Sequence, residues 1–161
     1  DLAAGHVVLV IGIVEQRGNR LHIVAHGVIR TNAKQPNGAR LLRIHDEIRS
    51  VIDKFHPESA GVESLYQTRN ITSAIPVAQS RGVVLLALAQ SGVGASEYTP
   101  QAIKLSVVGP GNASKDQVQR MVQVLLGLDD FPASDHAADA LAAAITHLHS
   151  TQVSATERIP R

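Results

Sequence analysis

Glu63, His136 and Asp139 are the side chains of this sequence best suited to hold a divalent cation. Glu63 closes the apolar stretch Ala60-Gly61-Val62, where a carboxylate on the buried side of a strand is costly unless it is paired, protonated or bound to metal. His136 and Asp139 are spaced to emerge on one face of a helix, with Asp135 a turn behind Asp139. Brought together, the three suit phosphodiester hydrolysis. Two metals about 4 Å apart activate an attacking water and stabilise a leaving 3′ oxygen, which requires several carboxylates on rigid elements. Imidazole in such a set is tolerable for Mg2+ and better for Mn2+. Spacing alone leaves other readings open: the Asp135, His136 and Asp139 group as a cap at a helix start, and Glu63 as an ordinary surface glutamate.

A second set of residues suits phosphates and bases. Lys104 and Lys115 lie on or beside helix starts flanking the turn Gly109-Pro110-Gly111, where ammonium groups and free backbone N–H donors can face a phosphate. Tyr66 and Arg69 follow Glu63 closely, and an aromatic ring with a guanidinium suits stacking on an unpaired base and holding the backbone beside it. With only two Tyr, two Phe and no Trp in the chain, Tyr66 in a polar stretch is not easily dismissed as core filling; its other reading is a staple at a helix entry. His22, His26, His45 and His56 are scattered and read as structural or surface residues, while His147 and His149 read as favouring the negative end of the last helix.

The absence of cysteine excludes disulfides, zinc knuckles, thiol nucleophiles and iron-sulfur clusters, and agrees with a reducing compartment. Net charge is +1, too small by itself to suggest a nucleic-acid partner, yet the charges are unevenly placed. Seven basic residues fall between Arg17 and Arg49 against Asp46 and Glu47, whereas Leu125 to Asp139 carries four aspartates and no Lys or Arg. No charged-then-apolar leader opens the sequence and no apolar run approaches bilayer length, so the expectation is a cytoplasmic protein with no membrane partner.

The elements that must position these residues follow from periodicity and turn chemistry. Val7 to Glu15 and Leu21 to Arg30 read as a hairpin around Arg17-Gly18-Asn19. After Pro36-Asn37-Gly38, the apolar residues Leu41, Leu42, Ile44, Ile48, Val51 and Ile52 repeat at helical spacing up to His56-Pro57. Ser59 to Val62 reads as a strand delivering Glu63, Asn70 to Gln90 as a mostly buried helix interrupted by Pro76, and Val93 to Tyr98 as another strand. Helices are expected from Pro100, from Ser114 to Leu126, and over the Ala-rich run Ala137 to His149 with Ser134 or Asp135 as cap. The length fits one domain over residues 1–150, a mixed sheet covered by helices, followed by a flexible tail over 151–161.

The stretches Val62 to Asn70 (VESLYQTRN), Val77 to Val83 (VAQSRGV), Tyr98 to Val122 (YTPQAIKLSVVGPGNASKDQVQRMV) and His136 to His147 (HAADALAAAITH), joined by Gly27 to Thr31 (GVIRT), resemble consecutive motifs of the RuvC family of Holliday-junction resolvases. The resemblance runs through nearly the whole chain to His149. It implies an α/β, RNase H-like fold with a mixed β-sheet flanked by helices, a homodimer, and a crossover junction endodeoxyribonuclease that nicks two like-polarity strands of a four-way DNA junction in recombination and repair. Glu63 and Asp139 match family metal-binding carboxylates, and His136 falls where members carry Asp or His, with Mg2+ or Mn2+ as cofactor, up to two ions per subunit. Tyr66 matches the aromatic placed at the junction core, and Arg69, Lys104 and Lys115 match DNA-contacting positions. The RuvA and RuvB branch-migration proteins are the implied partners.

The N-terminal segment departs from that pattern. The family aspartate of a Gly-Ile-Asp-Pro-Gly-like motif aligns with Ala3, and the strand before it has no counterpart, so a sheet lacking its first family strand is expected. Asp1 would substitute only with a two-residue shift. A protein that binds junctions but has lost cleavage is therefore the alternative expectation.

Overall fold

The computed structural model describes residues 7–64, 71–129 and 135–156, and for 71–73, 135–136 and 152–156 the backbone alone. Its elements follow in the order β1 (Val8–Arg17), β2 (Arg20–Arg30), α1 (Asn37–Phe55), β3 (Ser59–Glu63), α2 (Ile71–Gln90), β4 (Gly94–Tyr98), α3 (Pro100–Val108), α4 (Lys115–Leu126) and α5 (Asp135–Thr156). Among the described residues the strands pair as two small sheets, β1 with β2 and β3 with β4. The chain is described as two compact units, each assembled from several stretches.

In the unit containing residues 28–60 and 65–95, α1 packs along α2. Ile44, Ile48 and Ile52 recur every fourth residue and bury one stripe of α1, as its periodicity predicts. Among the described side chains of α2, Ser80, Val84, Ala87 and Leu88 are buried. Pro36 precedes α1, so Asn37 and Gly38, read as a chain break, form its first turn; a proline just ahead of a helix removes no hydrogen bond. His56 ends α1 in the left-handed conformation at φ 48°, its N–H donating to the Ile52 carbonyl, and Pro57 cannot extend the helix. Pro76 lies within α2, and the helix continues through it.

The unit containing residues 10–27, 61–64 and 96–161 is built around α5. Ile103 and Val107 of α3, Val118, Val122 and Leu126 of α4, and Leu141, Ala142, Ala143 and Ile145 of α5 form its core, with Val14, Leu21 and Ile23 of the hairpin packed against them. The alanines of α5 allow strands to approach closely. A side chain at Gly12 of β1 would come within 3.0 Å of the Leu141 backbone nitrogen. The start of α4 is held by a capping box, in which the Ser114 hydroxyl accepts from the Gln117 N–H and the Gln117 side chain accepts from the Ser114 N–H. Such caps contribute about 1 kcal/mol, and this one fixes where Lys115 begins the helix.

The last helix overturns one expectation. Residues 151–156, read as the start of a flexible tail, continue α5 to Thr156. Ser150 and Thr151 donate their hydroxyls to carbonyls one turn back, those of Thr146 and of His147 and Leu148, and no proline or glycine interrupts the chain before Pro160. Polar composition resembled a tail, but Ser, Thr and Gln do not end a helix already under way. Among the described residues no helix is long and apolar enough to cross a membrane.

Candidate metal and nucleic-acid site

Three elements of the α5 unit bring charged residues together. β3 ends at Glu63, α5 carries Asp139 in its second turn, and α4 opens with Lys115. The Lys115 ammonium lies 3.6 Å from Asp139 Oδ2, both side chains about half exposed, so the attraction is largely screened by water. Glu63 feels Asp139 too. Partial burial first, and the negative charge of Asp139 second, push the Glu63 carboxyl above the usual carboxylate range. Two carboxylates are thus held close enough to repel, on a strand end and a helix.

That repulsion is the physical test of whether a cation fits. Hard divalent ions take carboxylate oxygens, and an ion bound by both groups would remove the cost that raises the Glu63 pKa. Among the described residues Glu63 and Asp139 form a pair rather than a cluster of three acidic or imidazole groups. His136 belongs to the first turn of α5, but its side chain, like that of Asp135, lies outside the described residues, and so does Ser134, the expected cap. Ala3 and Asp1 also lie outside them, as do Tyr66 and Arg69.

The shifted pKa carries a stability consequence. Because the folded chain raises the Glu63 pKa above its unfolded value, the favourable contribution is present at low pH and is lost as pH rises through the folded pKa. With cations removed by chelator, Glu63→Gln is therefore expected to raise the thermal midpoint by about 1–3 °C near neutral pH. The gain should vanish below about pH 4, where wild type carries its own proton. A melting series in which the variant is no more stable at neutral pH would contradict the repulsion.

Lys104 is exposed on α3, and Thr99 caps that helix by accepting from the Ala102 N–H. The structure does not bring Lys104 into an ion pair with Glu63 or Asp139. Lys115, by contrast, sits beside the acidic pair rather than apart from it, a proximity that spacing along the chain did not reveal.

Several residues behind the pair were not singled out by sequence reasoning. Gly61 lies against α5 so tightly that an added Cβ would be 2.8 Å from His147 Cβ and 3.0 Å from the Ala143 carbonyl oxygen. A glycine inside an apolar strand was the available signal. His147, expected to serve the negative pole of α5, is instead 5% exposed and hydrogen-bonded to the Tyr98 hydroxyl at 2.9 Å, because the helix end lies farther on. Burial lowers its pKa, so the imidazole is neutral at pH 7. His149 also faces α3 rather than the helix pole, with Nδ1 3.4 Å from Ser106 Oγ.

Comparison with known proteins sets this arrangement in a family. The family described as Crossover junction endodeoxyribonuclease RuvC matches residues 3–147. Curated relatives of that description include one from Treponema pallidum (strain Nichols), 49% identical over 138 residues covering 86% of this chain and 70% of the relative. Another, from Desulfitobacterium hafniense (strain Y51), is 46% identical over 149 residues, covering 92% and 90%. Among solved structures, Thermus thermophilus RuvC superposes with a TM-score of 0.82 at 33% identity, covering 94% of this chain and 92% of that one. The structure described as T. thermophilus RuvC in complex with Holliday junction substrate gives 0.81 at 30% identity, covering 93% and 90%. The α/β fold is therefore RNase H-like, as the motifs implied. By sequence and by fold, the chain belongs to the RuvC family of crossover junction endodeoxyribonucleases.

Proposed function

We propose that this chain is a Holliday-junction resolvase, nicking two like-polarity strands of a four-way DNA junction in recombination and repair by metal-dependent phosphodiester hydrolysis. The observation that carries the chemistry is the convergence of Glu63 and Asp139 from separate rigid elements with Lys115 beside them. Glu63 and Asp139, joined by His136, hold the cation, with Mg2+ the natural ion and Mn2+ accepted through the imidazole. Up to two such ions serve each subunit.

A bound divalent ion supplies Lewis acidity to the scissile phosphate and to the attacking water. Glu63 and Asp139 fix their oxygens on a strand end and a helix, which keeps the donor set rigid. Lys115, drawn towards Asp139 in the free protein, offers its ammonium to a phosphate oxygen when the backbone enters, and Lys104 adds a second contact along the strand. Water attacks phosphorus, the bond to the 3′ oxygen breaks, and that oxygen leaves with a proton. Tyr66 stacks at the unpaired junction core and Arg69 holds the phosphate beside it.

A two-fold junction calls for two active sites, and a homodimer supplies them. Ile75 and Leu86 of α2 are 53% and 52% exposed and share one helix face, an apolar pair that a second copy would cover. RuvA and RuvB are the partners that move the branch point, and the cytoplasm is where the three meet DNA.

The reading is tested with a labelled mobile four-way junction beside linear duplex of equal length, over a salt series. Junction binding at least about tenfold tighter than duplex, with paired nicks in Mg2+ or Mn2+, is the expected result; net charge of +1 leaves little for nonspecific duplex affinity. Equal affinity for both DNAs at every salt concentration would remove the resolvase reading.

A further inference from the structure

We infer that Tyr98 and His147 are positioning residues that hold the strand-end carboxylate of Glu63 at a fixed place relative to Asp139 on α5. The inference rests on the metal-site reading above and deepens it, since both residues act on the backbone that carries Glu63.

A continuous set of contacts joins the two carboxylates from behind. Asp139 and His147 ride on the same helix, two turns apart, so the helix sets their separation along its axis at about 12 Å. The His147 ring meets Tyr98 edge to face, centroids 5.9 Å apart at 63°, and Nδ1 lies 2.9 Å from the Tyr98 hydroxyl. The Tyr98 carbonyl then accepts twice from Ser64, from its N–H at 2.8 Å and from its hydroxyl at 3.2 Å. Ser64 follows Glu63 directly. On the other side of Glu63, Gly61 lies so near α5 that an added Cβ would be 2.8 Å from the Cβ of the same histidine and 3.0 Å from the Ala143 carbonyl oxygen.

The end of β3 is thus held on both sides of Glu63 by groups that converge on His147. This matters because Glu63 is the last residue of its strand, and just beyond it the two hydrogen bonds from Ser64 to the Tyr98 carbonyl fix the backbone. Tyr98 is itself placed twice, by β4 and by the start of α3, where Thr99 forms the cap. A neutral imidazole paired with a hydroxyl adds no net charge near the acidic pair, so the linkage orders the site without competing for a cation. Misplacement of a reacting group by about 1 Å can lower turnover about 100-fold, so loosening one end of this linkage should be visible in chemistry before it is visible in folding.

The test compares wild type with Tyr98→Phe, which keeps the ring and removes the hydroxyl. Mn2+ affinity is measured by titration calorimetry without DNA, junction affinity in Ca2+, and kcat and KM for nicking in Mg2+. Expected for Tyr98→Phe are Mn2+ affinity weakened about 3- to 10-fold and kcat lowered about 10-fold, with KM and junction affinity within about twofold of wild type. His147→Asn, which can still bond the hydroxyl, should retain most of both quantities, and His147→Phe should lose them. Val122→Ala, in the same core but away from the linkage, serves as a control for general loosening.

Wild-type Mn2+ affinity and kcat in Tyr98→Phe would overturn the inference, as would equal losses in Val122→Ala at a matched drop in melting temperature. If Tyr98→Phe fails to fold, the contrast between His147→Asn and His147→Phe decides in its place. Glu63→Gln, run alongside, separates the two readings. Were it to bind Mn2+ and nick like wild type, the metal site itself would be wrong and the inference would fall with it; were it inactive while Tyr98→Phe and His147→Phe behaved normally, only the positioning role would be lost.

Discussion

Glu63→Gln and Asp139→Asn are each expected to lower junction nicking about 100-fold or more at saturating Mg2+ while leaving junction binding within about threefold of wild type. Both substitutions keep shape and remove charge, so they would alter the proposed donor set with little disturbance to packing. Loss of a group that merely supports a metal ligand already costs about 10- to 100-fold, and loss of a carboxylate ligand itself should exceed that. On the proposed reading affinity is carried elsewhere, by Tyr66, Arg69, Lys104 and Lys115, so the effect should appear in kcat. Binding and single-turnover nicking must be recorded separately on the same junction. If either variant nicks at wild-type rate, that carboxylate does not hold the metal. Because Asp139 lies 3.6 Å from Lys115, Asp139→Asn also frees the ammonium, and slightly tighter DNA binding alongside lost cleavage would fit that geometry.

Gly61→Ala is the second large effect. The new methyl would lie 2.8 Å from His147 Cβ and 3.0 Å from a backbone oxygen of α5, neither of which can swing away. Strand or helix must move, and overpacking of this kind costs about 1–3 kcal/mol. In a chain of this length that corresponds to a melting temperature lower by about 3–10 °C. Nicking should fall about tenfold as well, since Glu63 lies two residues along the displaced strand. Gly82→Ala is the internal control with opposite sign: it lies within α2, nothing stands within 4 Å of its added Cβ, and alanine favours a helix by about 1 kcal/mol. Calorimetric melting of both proteins checks the pair, and a Gly61→Ala chain that melts with wild type would show that β3 and α5 are not in tight contact.

The sequence made some of this legible and hid the rest for identifiable reasons. The hairpin, the buried stripe of α1 and the capped start of α4 were readable because each depends on neighbours within a few residues. Glu63 was conspicuous because a carboxylate ending an apolar strand is costly, and that cost is indeed visible in its raised pKa. Its approach to Asp139 was not readable, since residues on a strand and a distant helix meet only through packing. The pairing of strands into two small sheets was equally hidden: alternation shows that a segment is a strand, not which strand it joins. His147 was misread through an error of helix length, because a residue placed near a helix end is assigned to the dipole and one placed mid-helix to the core. Gly61 and Tyr98 were passed over since their importance lies in what they touch.

Lys115 opens α4 at the pole where unsatisfied N–H groups already create positive potential. An ammonium there opposes the dipole, at a cost of about 0.3–1 kcal/mol, while Asp116 in the same turn offsets part of it. A sequence chosen only for a durable helix would place Asp or Glu at this position. On the proposed DNA role of Lys115, this is a position where helix stability and phosphate binding favour opposite charges, so stabilisation that optimises helix-end charge alone would tend to erase it. Any thermostable variant of the chain should therefore be examined first at residue 115, since a gain in melting temperature obtained there would remove the ammonium that lies 3.6 Å from Asp139.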